Sequence, residues 1–155
     1  MRMGDKKALL ISVIGASSST DEGNRLAYEV GKLIAERGGI LLCGGLEGIM
    51  LHSARGAYEA GGLTIGILPG LYHSDANPYI KIPLPTGLGY VRNSVLVTAA
   101  MGVIAIEGNF GTLNEISFCR IREKPLALLK SWEGIKELDP FRVKTPLEAV
   151  MRVMK

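Results

Sequence analysis

Two kinds of residue in this chain could do chemistry: one pair of charged side chains and a set of glycine-centred turns. The charged pair is Arg92 and Glu115. Arg92 lies in Gly89-Tyr90-Val91-Arg92-Asn93, at the start of a helical pattern, where the helix dipole disfavours a cation. A guanidinium retained there suits bidentate pairing with a phosphate, although a plain surface arginine reads the same way. Glu115 ends Thr112-x-x-Glu115, which has the spacing of a capping box and equally suits a carboxylate aimed into a site.

The most informative turn is Glu107-Gly108-Asn109-Phe110-Gly111, which follows the apolar run Val103–Ile106 and leads into a helix opening at Thr112-Leu113-Asn114-Glu115. A strand that ends in glycines and turns directly into a helix points unpaired N–H groups and the positive end of the dipole at one spot. That spot suits an anion such as a phosphate. Gly108 and Gly111 allow a ligand to approach the backbone where a side chain would block it. Earlier in the chain, Gly15-Ala16-Ser17-Ser18-Ser19-Thr20 follows the first apolar run. Ser17 and Ser18 there either contact a ligand or simply belong to a helix cap, and Ser19 and Glu22 have capping-box spacing. Gly44-Gly45-Leu46-Glu47-Gly48 is a second glycine turn between strand and helix. Its spacing is GGxxG rather than GxGxxG and no acidic residue follows at the right point, so a standard NAD site has little support.

The elements that must position these residues alternate along the chain. Apolar runs at Ala8–Ile14, Ile40–Cys43, Leu63–Leu68, Val103–Ile106 and Pro125–Leu129 read as strands, and Ile80–Leu84 as a further short strand. Between them lie helical patterns: Leu26, Val30, Leu33 and Ile34 before Gly38-Gly39, then Ile49–Ala60, then Tyr90–Ala100. Thr145-Pro146-Leu147-Glu148 opens a last helix with proline at its first position. Strand and helix in alternation predict a single α/β domain over residues 1–155, a Rossmann-like, doubly wound, mostly parallel sheet with helices on both faces. Ligands bind such sheets outside the carboxyl ends of the strands, and every glycine turn named above falls at such an end.

Composition narrows the function. The 155 residues are 47% hydrophobic and 21% charged, with 20 glycines and a formal net charge of +3. That describes a globular chain. Its lysines and arginines are scattered rather than arrayed on one face with interleaved aromatics, which disfavours nucleic acid as a partner. Cys43 and Cys119 lie in apolar segments as expected of reduced, buried thiols, and isolated His52 and His73 give no metal-ligand cluster. The longest apolar stretch, Val95–Ile106, is interrupted and too short to span a bilayer, and the first residues lack a signal-peptide pattern. The expectation is a cytoplasmic protein without a membrane anchor.

Five pieces in this order resemble the LOG-type Rossmann superfamily, some of whose members were mislabelled lysine decarboxylases. They are Cys43–Met50, Ile67–Gly70, Ala76-Asn77-Pro78-Tyr79, Gly89–Asn93 and Gly108–Glu115. The Asn-Pro-Tyr loop and the Arg-Asn pair are most similar to the molybdenum-cofactor-carrier-like branch. The resemblance implies a homodimeric fold that binds a small phosphorylated ligand, a nucleotide or a molybdopterin-type molecule, with no cofactor required. In the enzymes of the superfamily a PGGxGTxxE motif and an upstream arginine hydrolyse the N-glycosidic bond of a nucleoside 5′-monophosphate. By position Glu115 and Arg92 match those two residues and are the catalytic candidates. The carboxylate would stabilise an oxocarbenium-like ribose or activate water. The binding candidates are Gly15, Ser17, Ser18, Gly44, Gly45, Gly48, Arg92, Asn93, Gly108, Asn109, Gly111 and Thr112. Glu107 stands where the motif has proline, Asn109 where it has the second glycine, and Asn93 where the enzymes often have lysine. The sequence therefore predicts binding by a carrier or sensor ahead of hydrolysis. No lysine has a Schiff-base setting, which argues against a decarboxylase.

Overall fold

The computed structural model describes residues 7–155, so the reading of the first residues as lacking a leader lies in part outside the described residues. Six strands form one parallel sheet: β1 (Leu10–Gly15), β2 (Ile40–Cys43), β3 (Thr64–Leu68), β4 (Ile82–Pro85), β5 (Gly102–Ile106) and β6 (Leu126–Leu129). Their spatial order is β4-β3-β2-β1-β5-β6. The chain thus winds outward from β1 to β4, crosses back, and resumes on the other side at β5. The switch in strand order lies between β1 and β5, which pair from Ile11 against Gly102 to Gly15 against Ile106. Each strand overlaps a stretch that the sequence reads as a strand.

Among the described residues, five α-helices cover the sheet: α1 (Asp21–Glu36), α2 (Ile49–Glu59), α3 (Arg92–Ala99), α4 (Phe110–Ile121) and α5 (Pro146–Val153). Helices α1, α2 and α5 pack on one face, α3 and α4 on the other. Central strands are apolar on both sides, as buried parallel strands must be. In β5, Ile104 and Ile106 enter the core beneath α1 and α2, while Val103 and Ala105 enter the core beneath α3 and α4. Close packing of α1 on α2 rests on two small residues. A Cβ at Gly31 would lie 1.9 Å from the Ser53 carbonyl oxygen, and one at Gly56 would lie 2.0 Å from that of Tyr28.

The helix starts differ from the sequence expectation in three places. Thr20, not Ser19, caps α1: its Oγ1 accepts from the Gly23 N–H at 3.0 Å. Glu22 pairs with Lys130 instead of completing a capping box. The helix expected over Tyr90–Ala100 begins as a short 3-10 turn, Gly89–Val91, so Arg92 is the first residue of α3. Helix α4 starts at Phe110 with Asn109 as its N-cap, two residues before Thr112. Thr112 and Glu115 are therefore inside α4, and neither belongs to a capping box.

Candidate functional site

At the carboxyl ends of β1 and β2, beside the switch in strand order, lies a cavity of about 540 Å³. Its floor is the end of β1, Val13 to Gly15, continued by Ala16 and Ser17. Gly44 and Leu46 from the β2–α2 turn, Arg92 and Asn93 from α3, and Asn109 to Glu115 around the start of α4 form its walls. Nine candidate positions come together there: Gly15, Ser17, Gly44, Arg92, Asn93, Asn109, Gly111, Thr112 and Glu115. Ser18, Gly45, Gly48 and Gly108 do not line it. The last three have positive φ angles of 76°, 65° and 109° and shape the turns from outside the cavity. Gly48 packs under the β1–α1 loop, where a Cβ would meet the Ala16 carbonyl oxygen at 2.3 Å.

Arg92 is 9% exposed, and its guanidinium spreads over Gly44, whose missing Cβ would lie 2.9 Å from an Arg92 Nη. Nη1 donates to Asn93 Oδ1 at 2.7 Å, whereas the buried Nε has no partner. Burial pulls the Arg92 pKa down, and the nearby Glu115 carboxyl partly opposes that shift. Glu115 is 7% exposed. Burial pushes its carboxyl up to about 8, against the smaller opposing effect of Arg92. Near neutral pH Glu115 therefore carries its proton and offers an O–H donor as well as an acceptor. Beneath Arg92, the Cys43 thiol is raised to about 12 by burial, so it stays protonated and is no nucleophile.

Helix starts set the field in the cavity. Helices α2, α3 and α4 all begin at its wall, and none has a side-chain cap at its N-cap residue. Helices α1 and α5 begin elsewhere, and threonines cap both. At α4 the N–H groups of Phe110, Gly111 and Thr112 precede the first intrahelical bond, from the Leu113 N–H to the Asn109 oxygen at 3.0 Å. Gly111 leaves this turn bare, because a Cβ there would meet no heavy atom within 4 Å. A buried cationic side chain and an uncapped helix start line the same cavity, an arrangement complementary to a phosphate.

Glu107 is turned away from the cavity. Its carboxylate accepts from the Thr20 N–H at 3.2 Å and from the Thr20 hydroxyl, so it sits at the N-terminus of α1. The charge that the motif departure introduces is thus spent on a helix dipole and not on the anion site.

A family model described as the SLOG cluster4 family matches residues 8–153. The chain belongs to that family. Among solved structures, the SLOG fold seen here superimposes on the molybdenum cofactor binding protein of the phototrophic bacterium Rippkaea orientalis with a TM-score of 0.89. The two are 32% identical over 97% of this chain and 99% of the other. The molybdenum cofactor carrier protein of Chlamydomonas reinhardtii gives 0.86 at 30% identity, over 96% and 97% of the two chains. A cytokinin riboside 5′-monophosphate phosphoribohydrolase of Mycobacterium tuberculosis is 28% identical over 79% of this chain and 71% of its own length.

Several residues at or around the cavity have places that sequence reasoning did not assign to them. Met50, Pro69 and Tyr90 line the cavity, and each is embedded in a turn singled out for its glycines or its arginine. Asn77, from the Asn-Pro-Tyr loop, holds the glycine turn in place: its Nδ2 donates to the Leu46 oxygen at 2.8 Å and its N–H to the Gly45 oxygen at 2.9 Å. Ser131 and Trp132 fasten the β5–α4 turn from the far side, through the Glu107 and Asn109 carbonyl oxygens. Asn77 lies in a loop that the sequence does single out, whereas Ser131 and Trp132 carry no signal there, because what they do depends on partners 24 and 23 positions away.

Proposed function

We propose that this protein binds a phosphate-bearing small molecule, a nucleotide or a molybdopterin-type cofactor, and holds it intact as a carrier or sensor. The observation that carries the reading is the buried Arg92, whose Nε has no partner, in the same cavity as the bare N-terminal turn of α4. The phosphate would take Arg92 on one side and the N–H groups at Gly111 and Thr112 on the other. Glu115, holding its proton, would donate to a phosphate or ribose oxygen. Gly15, Ser17, Gly44, Asn93 and Asn109 would complete the walls, while Ser18, Gly45, Gly48 and Gly108 support the turns. Likeness to two proteins named for binding or carrying the molybdenum cofactor supports this reading.

Hydrolysis is the second reading, favoured by the likeness to the mycobacterial phosphoribohydrolase and by the joint presence of Arg92 and Glu115 in one cavity. It requires an ionised carboxylate to stabilise an oxocarbenium ion or to activate water. Burial raises the Glu115 carboxyl to about 8, which suits a proton donor to a bound phosphate and equally lies near the range to which enzymes raise a carboxylate base, so release of base decides between the two readings. The test is chromatography of nucleoside monophosphates incubated with the protein. Intact nucleotide supports the carrier, and free base lost in Glu115→Gln establishes the enzyme.

The working form under this reading is a homodimer. Support comes from the large apolar side chains left at the surface beside the cavity, with Tyr90 87% exposed and Leu88 and Val91 exposed with it. No described helix is long and apolar enough to cross a membrane. Both cysteines are free and buried, which agrees with a place in the reducing cytoplasm.

A further inference from the structure

Beside the main cavity is a second cleft, lined by Gly108, Asn109, Phe110, Trp132 and Glu133. Asn109 lines both, so the two spaces share one wall residue, the N-cap of α4. Phe110, the first residue of that helix, is 80% exposed. Its ring centroid lies 5.7 Å from that of Trp132, with the planes tilted by 44°. The indole is held in place from several sides. Its Nε1 donates to the Asn109 oxygen at 3.0 Å. Arg142 donates to the Ser131 and Trp132 carbonyl oxygens at 2.8 and 2.5 Å. Trp132 has φ = 44° and Lys130 has φ = 55°, a backbone form that bulky residues adopt rarely and at a cost in strain. The loop thus presents a fixed indole beside an exposed phenyl ring at the edge of the phosphate turn.

We infer that the Phe110–Trp132 cleft is a stacking subsite for the planar heteroaromatic ring of the ligand whose phosphate occupies the main cavity. The inference rests on the phosphate-binding reading above. A planar ring has a π-face that stacks on such side chains whatever its substituents. The Glu133 carboxylate at the cleft can accept from ring N–H or exocyclic amino groups. Both a nucleobase and a pterin meet these demands.

Trp132 is the single tryptophan of the chain, so its fluorescence reports on the cleft directly. The experiment titrates the full chain with ribose 5-phosphate, GMP and a phosphate-bearing pterin, following both heat and Trp132 emission. Ribose 5-phosphate is expected to bind with Trp132 emission unchanged. At least one ring-bearing ligand binds about tenfold more tightly and quenches it, the size of one ring-on-aromatic stack. Which of the two does so identifies the ring. Phe110→Ala removes that tenfold increment without touching ribose 5-phosphate affinity, and Phe110→Tyr restores it. If ribose 5-phosphate binds while neither ring-bearing ligand gains affinity or quenches Trp132, the subsite is overturned and the phosphate reading stands. Equal weakening of ribose 5-phosphate and the ring-bearing ligand in Phe110→Ala also overturns the subsite. Absence of binding by all three ligands sinks the phosphate reading and the subsite with it.

Discussion

Arg92 and Glu115 line the same cavity, yet among the described residues no ion pair joins them. Arg92 spends one donor on the neighbouring Asn93 side chain and keeps Nε unpaired. A direct pair would have neutralised both groups and closed the site. Kept apart and buried, the guanidinium retains its charge and the carboxyl its proton, a combination that attracts an anion without repelling it.

Ligand affinity should depend on pH through Glu115. Its carboxyl is raised to about 8 chiefly by burial, so above that pH it becomes a second negative charge beside the phosphate. Affinity is expected to hold between pH 7 and 8 and then to fall by nearly tenfold per pH unit. Calorimetry at pH 7, 8 and 9 checks this, and Glu115→Gln should flatten the profile.

The same shift acts on stability. A carboxyl whose pKa rises on folding binds its proton more tightly in the native state. Its stabilisation is complete below the ordinary value of 4.5 and is lost as pH climbs towards about 8. Wild type should therefore lose on the order of 1 kcal/mol per pH unit across that window relative to Glu115→Gln. Paired denaturation curves at pH 5 and 8 measure it. Parallel behaviour of the two proteins would mean that Glu115 is not desolvated.

Gly111 and Gly108 separate binding from folding. Gly111→Ala places its methyl group into open cavity space and swaps glycine for alanine inside a helix. Stability should stay level or rise by about 0.5–1 kcal/mol, while affinity for a phosphate ligand falls at least tenfold. Gly108→Ala meets a φ of 109° and the Thr112 hydroxyl oxygen at 2.2 Å. That variant should lose roughly 2 kcal/mol or more. Thermal melts beside titrations distinguish the two.

Glu107→Gln tests the direction of that side chain. Losing the carboxylate at the start of α1 should cost about 1 kcal/mol with ligand affinity unchanged. Weakened binding at constant stability would return Glu107 to the anion site.

Much of this architecture was legible because it is local. The strands lie on largely apolar stretches, interrupted by Ser12 in β1 and Thr64 in β3, and Ile40–Cys43 has the same bounds in sequence and structure. Glycine turns at strand ends announced where the cavity would be. What sequence could not display was choice between neighbouring options. Ser19 and Thr20 are both good cap formers, as are Asn109 and Thr112, and tertiary contacts decide between them. Glu107 reaches a partner 87 positions away, and Trp132 meets Asn109 across two loops. With α4 starting at Phe110 and Asn109 as its N-cap, Glu115 moves from the helix entrance to a buried face, which is why its capping-box spacing misleads.

The most direct measurement is a calorimetric titration of ribose 5-phosphate and GMP into the wild-type protein and an Arg92→Lys variant at pH 7. Saturable binding in the wild type is expected, weakened at least tenfold by the lysine, which keeps the charge and loses the planar donor fork. Equal affinity in both proteins, or no binding to a folded wild type, would contradict a phosphate site built on Arg92.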